Sequence, residues 1–577
     1  MFYKLRHYIL EIIEAIKLSF KDSKKFILIL FFLSILLLSF FETYIIASLI
    51  PIIDNFTSTD KLIEFNLKFN NFFGFNFDKN EFIGIIFFLA ILSFFITFFL
   101  QLSSIYLNRS IVESKNAIWQ EKILNSYLSQ DSIFFSNKSS GDLIQRLLVH
   151  TKNGSEIISY LLNILKEALI CIFIYTFLLF LSFKLTLILT IFFIFIFLIT
   201  SIFGKKIIFL KSQQVADLQK NIFAEVNSIF SGIKIIKIFK KQSFFQKRLQ
   251  NKINLYKKNN VLVNAFLNLP SNFVRLSTFV IIFSTLYFFS INAGSEKLLT
   301  ILIVFFAASY KINNSIGAIN DTFLNVIRLL PSIHIIKKSL KIERNLILEE
   351  KLNFSKNIEF KNLNFFYENK DNKIFTNQKL KIFKNKIHVI TGNSGCGKST
   401  LTDIIAGLLS VENLNLIIDE KKNLKINGKI KIKNLSYCDQ DGFIFPGSIE
   451  QNITMFDEKP DYSKINEAIS IVKIDEIKEM QLKTNLYDGG KTLSGGQKQR
   501  LNLARIIYYN PEIMILDEAT SSLDEENEKI ISDNIVNWSK KNKKTLIIIS
   551  HNDYHLKYAD YRIDINQKEI IYKSVNF

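Results

Sequence analysis

The sequence predicts an α-helical transmembrane domain of six spans followed by an α/β P-loop domain, and three observations carry that prediction. Apolar residues concentrate before about residue 310, in stretches long enough to cross a bilayer. From Ile358 onward the pattern shortens into strand-like runs, Ile358 to Leu363, Leu380 to Phe383 and Lys386 to Ile390. The last of these leads straight into a glycine-rich loop and a helix-forming segment.

Taken in order, residues 1–25 read as an amphipathic helix lying on the membrane surface, with an ordinary amphipathic helix as the alternative. Leu5, Ile9, Ile12, Ile13, Ile16 and Phe20 recur at helical spacing, while Lys4, Arg6, Glu11, Glu14 and Lys17 interrupt any signal-peptide core. A membrane domain then covers 26–340, with apolar stretches at about 26–53, 82–107, 157–183, 185–203, 262–292 and 298–318. Each suits roughly 30 Å of hydrocarbon as a helix. The third and fourth are separated only by a tight turn around Ser182-Phe183-Lys184. Connections 108–156 and 204–261 keep apolar residues three and four apart, as in Ile229, Ile233, Ile236 and Phe239, so the spans continue as helices beyond the bilayer.

Loop charge sets the orientation. Lys4, Arg6, Lys17, Lys21, Lys24 and Lys25 precede the first span, and 204–260 is denser still in Lys and Arg. Segment 54–81 carries three lysines against five acids. The positive-inside bias therefore places the N-terminus, both long connections and everything after 318 in the cytoplasm.

A formal net charge of +20 over 577 residues raises the question of nucleic-acid binding, but the basic residues are spread widely and no zinc-finger or RNA-binding motif is present. Basic loops beside lipid account for the charge, and no nucleic-acid partner is expected. Mean hydropathy of +0.21 and 14% aromatic residues agree with an integral membrane protein. Cys171, Cys396 and Cys438 show neither metal-ligand nor paired spacing, so no disulfide is expected.

Apolar periodicity ends across a linker at 341–357, and a second domain occupies 358–577. In Gly392-Asn393-Ser394-Gly395-Cys396-Gly397-Lys398-Ser399, followed by Thr400, glycines let backbone N–H groups curl around phosphate while the next helix offers its positive end. Lys398 is placed for the β/γ-phosphates of ATP and the Ser399 hydroxyl for Mg²⁺. Ile513-Met514-Ile515-Leu516-Asp517-Glu518 is an apolar run of the buried parallel-strand type that ends in two carboxylates, Asp517 for Mg²⁺ and Glu518 for an attacking water. The second domain is thus an α/β P-loop nucleotide-binding domain.

Leu493-Ser494-Gly495-Gly496-Gln497 resembles the signature sequence of ATP-binding cassette (ABC) proteins. With six spans ahead of one cassette, the chain is similar to ABC transporters of the exporter type. The resemblance implies that Ser494, Gly495, Gly496 and Gln497 bind the γ-phosphate held by another cassette, so that a homodimer sandwiches ATP. It implies further that Gln440 touches Mg²⁺ and water, that His551 contacts γ-phosphate with His555 as a nearby rival, and that Ser522-Leu523-Asp524 crosses the dimer interface. Tyr367 matches the aromatic that stacks on adenine, with Phe365 and Phe366 as competitors. Phe134-Phe135 with Gly141-Asp142-Leu143, and Gly232-Ile233-Lys234, resemble the two cytoplasmic connections of such exporters. The acids that usually follow are absent, with His150 and Lys240 to Gln242 in that neighbourhood.

Charged groups within spans speak to cargo, because each is costly in lipid and usually faces a cavity. Glu42, Lys166, Glu167, Arg275 and Lys311 qualify by position. Lys166 and Glu167 read equally as a local pair, whereas Arg275 and Lys311 suit an anionic head group in a substrate cavity. Leu62, Phe65, Phe69, Phe72, Phe73, Phe75 and Phe77 give segment 54–81 an apolar side next to the outer leaflet. Together with Phe41-Glu42-Thr43 and Pro51, this is similar to bacterial flippases of lipid-linked oligosaccharides. That likeness implies a bacterial inner-membrane protein that exports or flips an amphipathic, anionic, lipid-linked substrate. Export of peptides or hydrophobic drugs is the alternative, and the six spans argue against a non-transporting cassette ATPase.

Overall fold

The computed structural model describes residues 25–57, 66, 74, 77–130, 132–136, 138–291, 296–341, 352–367, 373–440, 442–477, 480–487, 492–550, 553–566 and 569–575, with only the backbone for most of 184–209 and 268–302. The surface helix expected over 1–25, up to residue 24, and most of the external segment lie outside the described residues. The chain forms two compact units, Met1–Leu128 with Lys138–Glu343, and Ser129–Asn137 with Arg344–Phe577. Nine residues embedded in the first half of the sequence therefore belong to the second unit.

Helices dominate the first unit: α1 (Lys25–Thr57) and α2 (Lys79–Leu128), then, past α3 (Ser132–Ser136) of the second unit, α4 (Ser140–Ile144), α5 (Thr151–Leu181), α6 (Phe183–Ser231), α7 (Ile233–Ile238), α8 (Gln242–Ile291) and α9 (Glu296–Leu340). In hydrocarbon a lone helix satisfies its own backbone groups, which is why such apolar sequence folds this way. The hydroxyls of Ser34, Ser39, Thr43 and Ser48 in α1 donate to carbonyls of the preceding turn, so they add no unmet polar group. Among the described residues, Lys25–Asp54, Glu81–Leu128 and Ser140–Leu181 are long and apolar enough to cross a membrane. Helix α2 has 50 residues, about 75 Å at 1.5 Å per residue, more than twice the hydrocarbon thickness. Helices α2, α6 and α8 run unbroken through 108–128, 204–231 and 242–261. The break between α5 and α6 is a single extended residue, Ser182 at φ −159° and ψ 104°, bridged by the Thr186 hydroxyl donating to Leu178 O at 2.9 Å.

The second unit contains two main sheets. A parallel core orders its strands as β12 (Glu569–Ser574), β11 (Tyr561–Asn566), β3 (Ile387–Gly392), β10 (Thr545–Ile549), β9 (Ile513–Asp517) and β6 (Leu435–Cys438), with only the edge strand β12 antiparallel. An antiparallel sheet orders β2 (Lys373–Phe383), β1 (Asn357–Phe366), β4 (Val411–Ile418) and β5 (Lys422–Gly428), and the short β7 (Gly447–Ser448) and β8 (Asn485–Leu486) pair with each other. Every residue of β9 and β10 is buried, because both faces of the parallel sheet are covered. Met514, Leu516, Leu546 and Ile548 enter one core with α11 (Ile449–Thr454), α12 (Tyr462–Ile471), α13 (Gly495–Tyr509) and α14 (Glu525–Lys541). Ile513, Ile515, Ile547 and Ile549 enter the other, with Leu401, Ile404 and Ile405 of α10 (Lys398–Ile405) and the antiparallel sheet. Helix α3 completes this second core: Ile133 packs against it, the Ser132 amide and hydroxyl both reach Leu408 O, and Lys429 Nζ donates to Gln130 O.

Asp419, at the β4–β5 turn, accepts from the amides of Ser355, Lys356 and Asn357 and from the Ser355 hydroxyl at 2.6 to 3.1 Å. Burial pushes its carboxyl up, but these bonds outweigh it and hold the group down at about 2. A depressed carboxyl contributes stability above its unfolded value near 3.9 and loses it as pH falls through about 2. Asp419→Ala is expected to cost the full-length protein about 1 kcal/mol at pH 7 after solvent screening. The denaturant midpoint should show a gap that closes between pH 4 and pH 2.

Candidate nucleotide site

Parallel strands deliver their C-terminal ends to one edge of the sheet, where α/β folds bind ligands. Ile549 pairs with both Ile390 and Asp517, and Cys438 pairs with Leu516. The loops after β3, β10, β9 and β6 therefore leave the sheet side by side. They carry the Gly392–Ser399 loop, Ser550, Glu518 and Gln440, which are far apart in sequence.

In the first loop Gly397 caps α10 at φ +108°, and an added Cβ would meet Ile374 at 2.9 Å and Phe375 at 3.1 Å. Only glycine fits there. The Lys398 ammonium folds back over the loop and donates to Gly392 O at 2.8 Å and Asn393 O at 3.0 Å. Thr400, in the first turn of α10, hydrogen-bonds the Tyr367 hydroxyl at 3.2 Å. Tyr367 is 38% exposed, whereas its competitor Phe365 is buried in the core and meets the tyrosine ring edge-on at 5.1 Å. An aromatic face thus stands beside the phosphate loop.

Across from it lies a set of acids. Asp517 accepts from the Tyr437 hydroxyl at 3.0 Å. Burial first, then the neighbouring Glu518 and Asp439 charges, push the Asp517 carboxyl up, while bonds from Tyr437 and Ser399 restrain it. Asp403 is pushed up to about 6 by burial and by the charges of Asp439 and Asp517. Glu518 takes a left-handed backbone, φ +48°, with its N–H donating to Ile549 O at 3.1 Å. Such a conformation is uncommon for a residue with a Cβ, and it turns the carboxylate off the strand end toward Gln440, whose Nε2 donates to Glu518 Oε2 at 2.8 Å.

Hydroxyl, carboxylate and amide oxygens from Ser399, Asp517 and Gln440 form a hard donor set suited to Mg²⁺. Among the described residues no group of three or more His, Cys, Asp or Glu is arranged to chelate a metal alone. That fits an ion held by one carboxylate together with nucleotide phosphates.

The signature segment starts α13. The Ser494 hydroxyl accepts from the Gln497 amide at 3.2 Å, and the Gln497 side chain accepts from the Ser494 amide at 2.9 Å, a reciprocal capping box. Gly495 and Gly496 let the turn 520–523 approach closely, since a Cβ on either would lie 3.1 to 3.2 Å from Leu523 or Ser522. A residue that sequence reasoning missed, Gln499, fastens the same turn. It donates to Glu518 O and Ser521 Oγ and accepts from the Ser522 amide at 2.8 Å. Its position five residues along the signature helix was the available signal. Tyr437 and Asp403 were also missed.

His551 lies outside the described residues. Its rival His555 is buried, with Nδ1 2.9 Å from Ser550 Oγ and Nε2 3.1 Å from Ser532 Oγ. Both ring nitrogens are engaged inside the protein, which leaves His551 as the candidate for a phosphate contact. A cavity of about 530 Å³ opens between Glu518 and His555, lined also by Thr520, Glu528 and Ser532.

Residues 375–521 match the family model described as ABC transporter, and residues 25–315 match that described as ABC transporter transmembrane region. The chain is 29% identical over 503 residues to an export ATP-binding/permease protein of Rickettsia conorii, covering 84% of each. It is 26% identical over 513 residues to a multidrug resistance-like ATP-binding protein of Buchnera aphidicola, covering 84% of this chain and 83% of the other. Its fold is similar to a bacterial Atm1-family ABC exporter structure with ATP bound, at a TM-score of 0.76 and 16% identity over 96% of each chain.

Two outcomes are expected. Gln499→Leu keeps volume but removes the bonds to 518–522, so ATP turnover should fall about tenfold or more with nucleotide affinity changed less than about threefold, as read by ATPase and nucleotide-binding titrations. A raised carboxyl favours the folded state below its unfolded value near 3.9 and loses that contribution as pH climbs through about 6. Asp403→Asn should therefore melt higher than wild type at pH 8, by on the order of 1 kcal/mol once screened, and equally at pH 4.

Proposed function

This chain belongs to the ABC transporter family, as an ATP-hydrolysing exporter, and on that premise we propose a homodimer that flips or exports an amphipathic, lipid-linked substrate across a bacterial inner membrane. The observation that carries the reading is the convergence, within one chain, of side chains suited to a nucleotide half-site. Lys398, Ser399, Asp517, Glu518 and Gln440 stand at adjoining strand ends, and an intact signature opens α13 in the same chain. Two equal copies would then build two competent sites, with no second kind of subunit required.

Lys398 exchanges its loop carbonyls for the β/γ-phosphate oxygens, and the amides at the start of α10 hold the phosphates. Ser399, Asp517 and Gln440 would hold Mg²⁺, which would supply positive charge to offset that developing on those oxygens. Glu518 accepts a proton from the water that attacks the γ-phosphorus as the bond to the bridging β–γ oxygen breaks, and Gln440 keeps its carboxylate aimed. Ser494 and the Gly495 and Gly496 amides of the second copy close the site as a helix N-terminus facing the γ-phosphate, and His551 adds a further contact. Tyr367 stacks on the base. ATP draws the cassettes together, connections near 135–145 and 222–232 pass the movement on, and six spans alternate access to a cavity.

The apolar bundle with a few internal charges supports an amphipathic cargo. The anionic head group read from Arg275 and Lys311 has thinner support, because Lys311 is ion-paired with Glu42 and the Arg275 side chain lies outside the described residues. Export of hydrophobic drugs or peptides is a second reading, favoured by the multidrug resistance-like name of the Buchnera relative.

Glu518→Gln should retain ATP binding and lose about a hundredfold or more in turnover; wild-type turnover would remove Glu518 from its role. Lys398→Ala and Ser494→Arg chains should each be inactive alone. Mixed in equal amounts, they should recover about a quarter of wild-type ATPase, since half the dimers then hold one intact shared site. No recovery would mean that each chain uses its own signature.

A further inference from the structure

In four of the six apolar stretches, 26–53, 82–107, 157–183 and 298–318, with Lys184 just beyond the third, the charged residues are Glu42, Lys166, Glu167 and Lys311. The fold brings them to one level. Glu42 and Glu167 lie about 15 residues before the ends of α1 and α5, and Lys311 about 15 residues after the start of α9, each roughly 22 Å from its helix end. The three helices pack on one another. Lys311 is ion-paired with Glu42 between α9 and α1. Lys166 lies 3.1 Å from Glu167, whose other oxygen accepts from the Ser315 hydroxyl of α9 at 2.7 Å. Lys311 and Ser315 are four apart, so both pairs meet the same face of α9. The four charged side chains are 16% to 35% exposed, which leaves them reachable.

We propose that this layer is a head-group subsite that selects zwitterionic amphipaths over simple anions or cations. The inference rests on the transport reading above and narrows its substrate class. The four formal charges cancel, so the layer attracts neither sign as a whole. An anion that takes Lys311 leaves Glu42 as an uncompensated carboxylate in a low-dielectric setting, and a cation that takes Glu42 strands Lys311; either is costly. A ligand with an ammonium and an anionic group a few ångströms apart replaces one ion pair by two and strands nothing. The Lys166–Glu167 pair, anchored by Ser315, offers the same balanced chemistry alongside.

The test uses full-length protein in dodecyl maltoside micelles, with ATPase stimulation titrated by dodecylphosphocholine, dodecyl phosphate and dodecyltrimethylammonium, which share one tail. Dodecylphosphocholine should act at a concentration at least about tenfold lower than the other two. Glu42→Gln should shift the preference toward dodecyl phosphate and Lys311→Gln toward dodecyltrimethylammonium. The swap of Glu42→Lys with Lys311→Glu keeps the pair, and should keep the zwitterion preference even where a single substitution fails to fold. Equal potency of the three probes, stimulation by none, an unchanged preference in folded single variants, or a folded swap without the preference overturns the subsite. Failure of the transport reading shows separately, as loss of ATP-dependent flipping in proteoliposomes of native lipid whatever the head-group preference.

Discussion

Ile549 pairs with Ile390 on one side and with Asp517 on the other, and the nucleotide site inherits its geometry from that register. A parallel ladder leaves no freedom to raise one strand against the next without breaking every bond in it. The alternation Ile513, Ile515 against Met514, Leu516 serves two separate cores, so a slip of one residue would exchange their contents and draw Asp517 into one of them. The phosphate loop, the acids and the loop that opens at Ser550 are thus held at a common height by the apolar packing of the strands behind them. The left-handed backbone of Glu518 is tolerable at this place because the strand before it is immobilised on both faces.

The membrane unit meets the opposite problem. Its side chains pack in an environment that gives apolar contact little advantage, so the few polar groups decide how its helices meet. Hydroxyls in α1 are spent on their own carbonyls, whereas the amide of Asn108 reaches Asn163 and Ser315 reaches Glu167 across helix boundaries. Among residues 142–146, 220–225 and 248–252 the pairing becomes ionic. Arg248 and Lys252 of α8 converge on the buried Glu225 of α6, and Lys220 joins Arg146 on Asp142. The buried His150 is joined to α9 without a charge, its Nδ1 3.1 Å from Ser332 Oγ.

What was legible in the sequence was whatever a local pattern encodes. The length of an apolar run shows in α1 and α2, and a run with no polar face shows in β9. A glycine loop followed by a lysine marks β3 and α10. The antiparallel sheet was only half visible. Lys422–Gly428 is mostly polar and half-exposed, so it lacks the alternation that betrays a strand. Partners far apart in sequence were invisible. Nothing local announces that Lys311 will find Glu42, or that Gln499 will hold the turn after Glu518. Tyr437 and Asp403 escaped notice for the same reason: their chemistry comes from Asp517, which another strand supplies.

Helix α3 lies between membrane helices in the chain but packs in the cassette core, with Ser132 bonded to a carbonyl 276 residues further on. In chain order this segment precedes Leu408 and Lys429 by almost three hundred residues, so the second core closes only after all the intervening helices have been synthesised. A cassette cut at residue 344 would be born without part of its own interior.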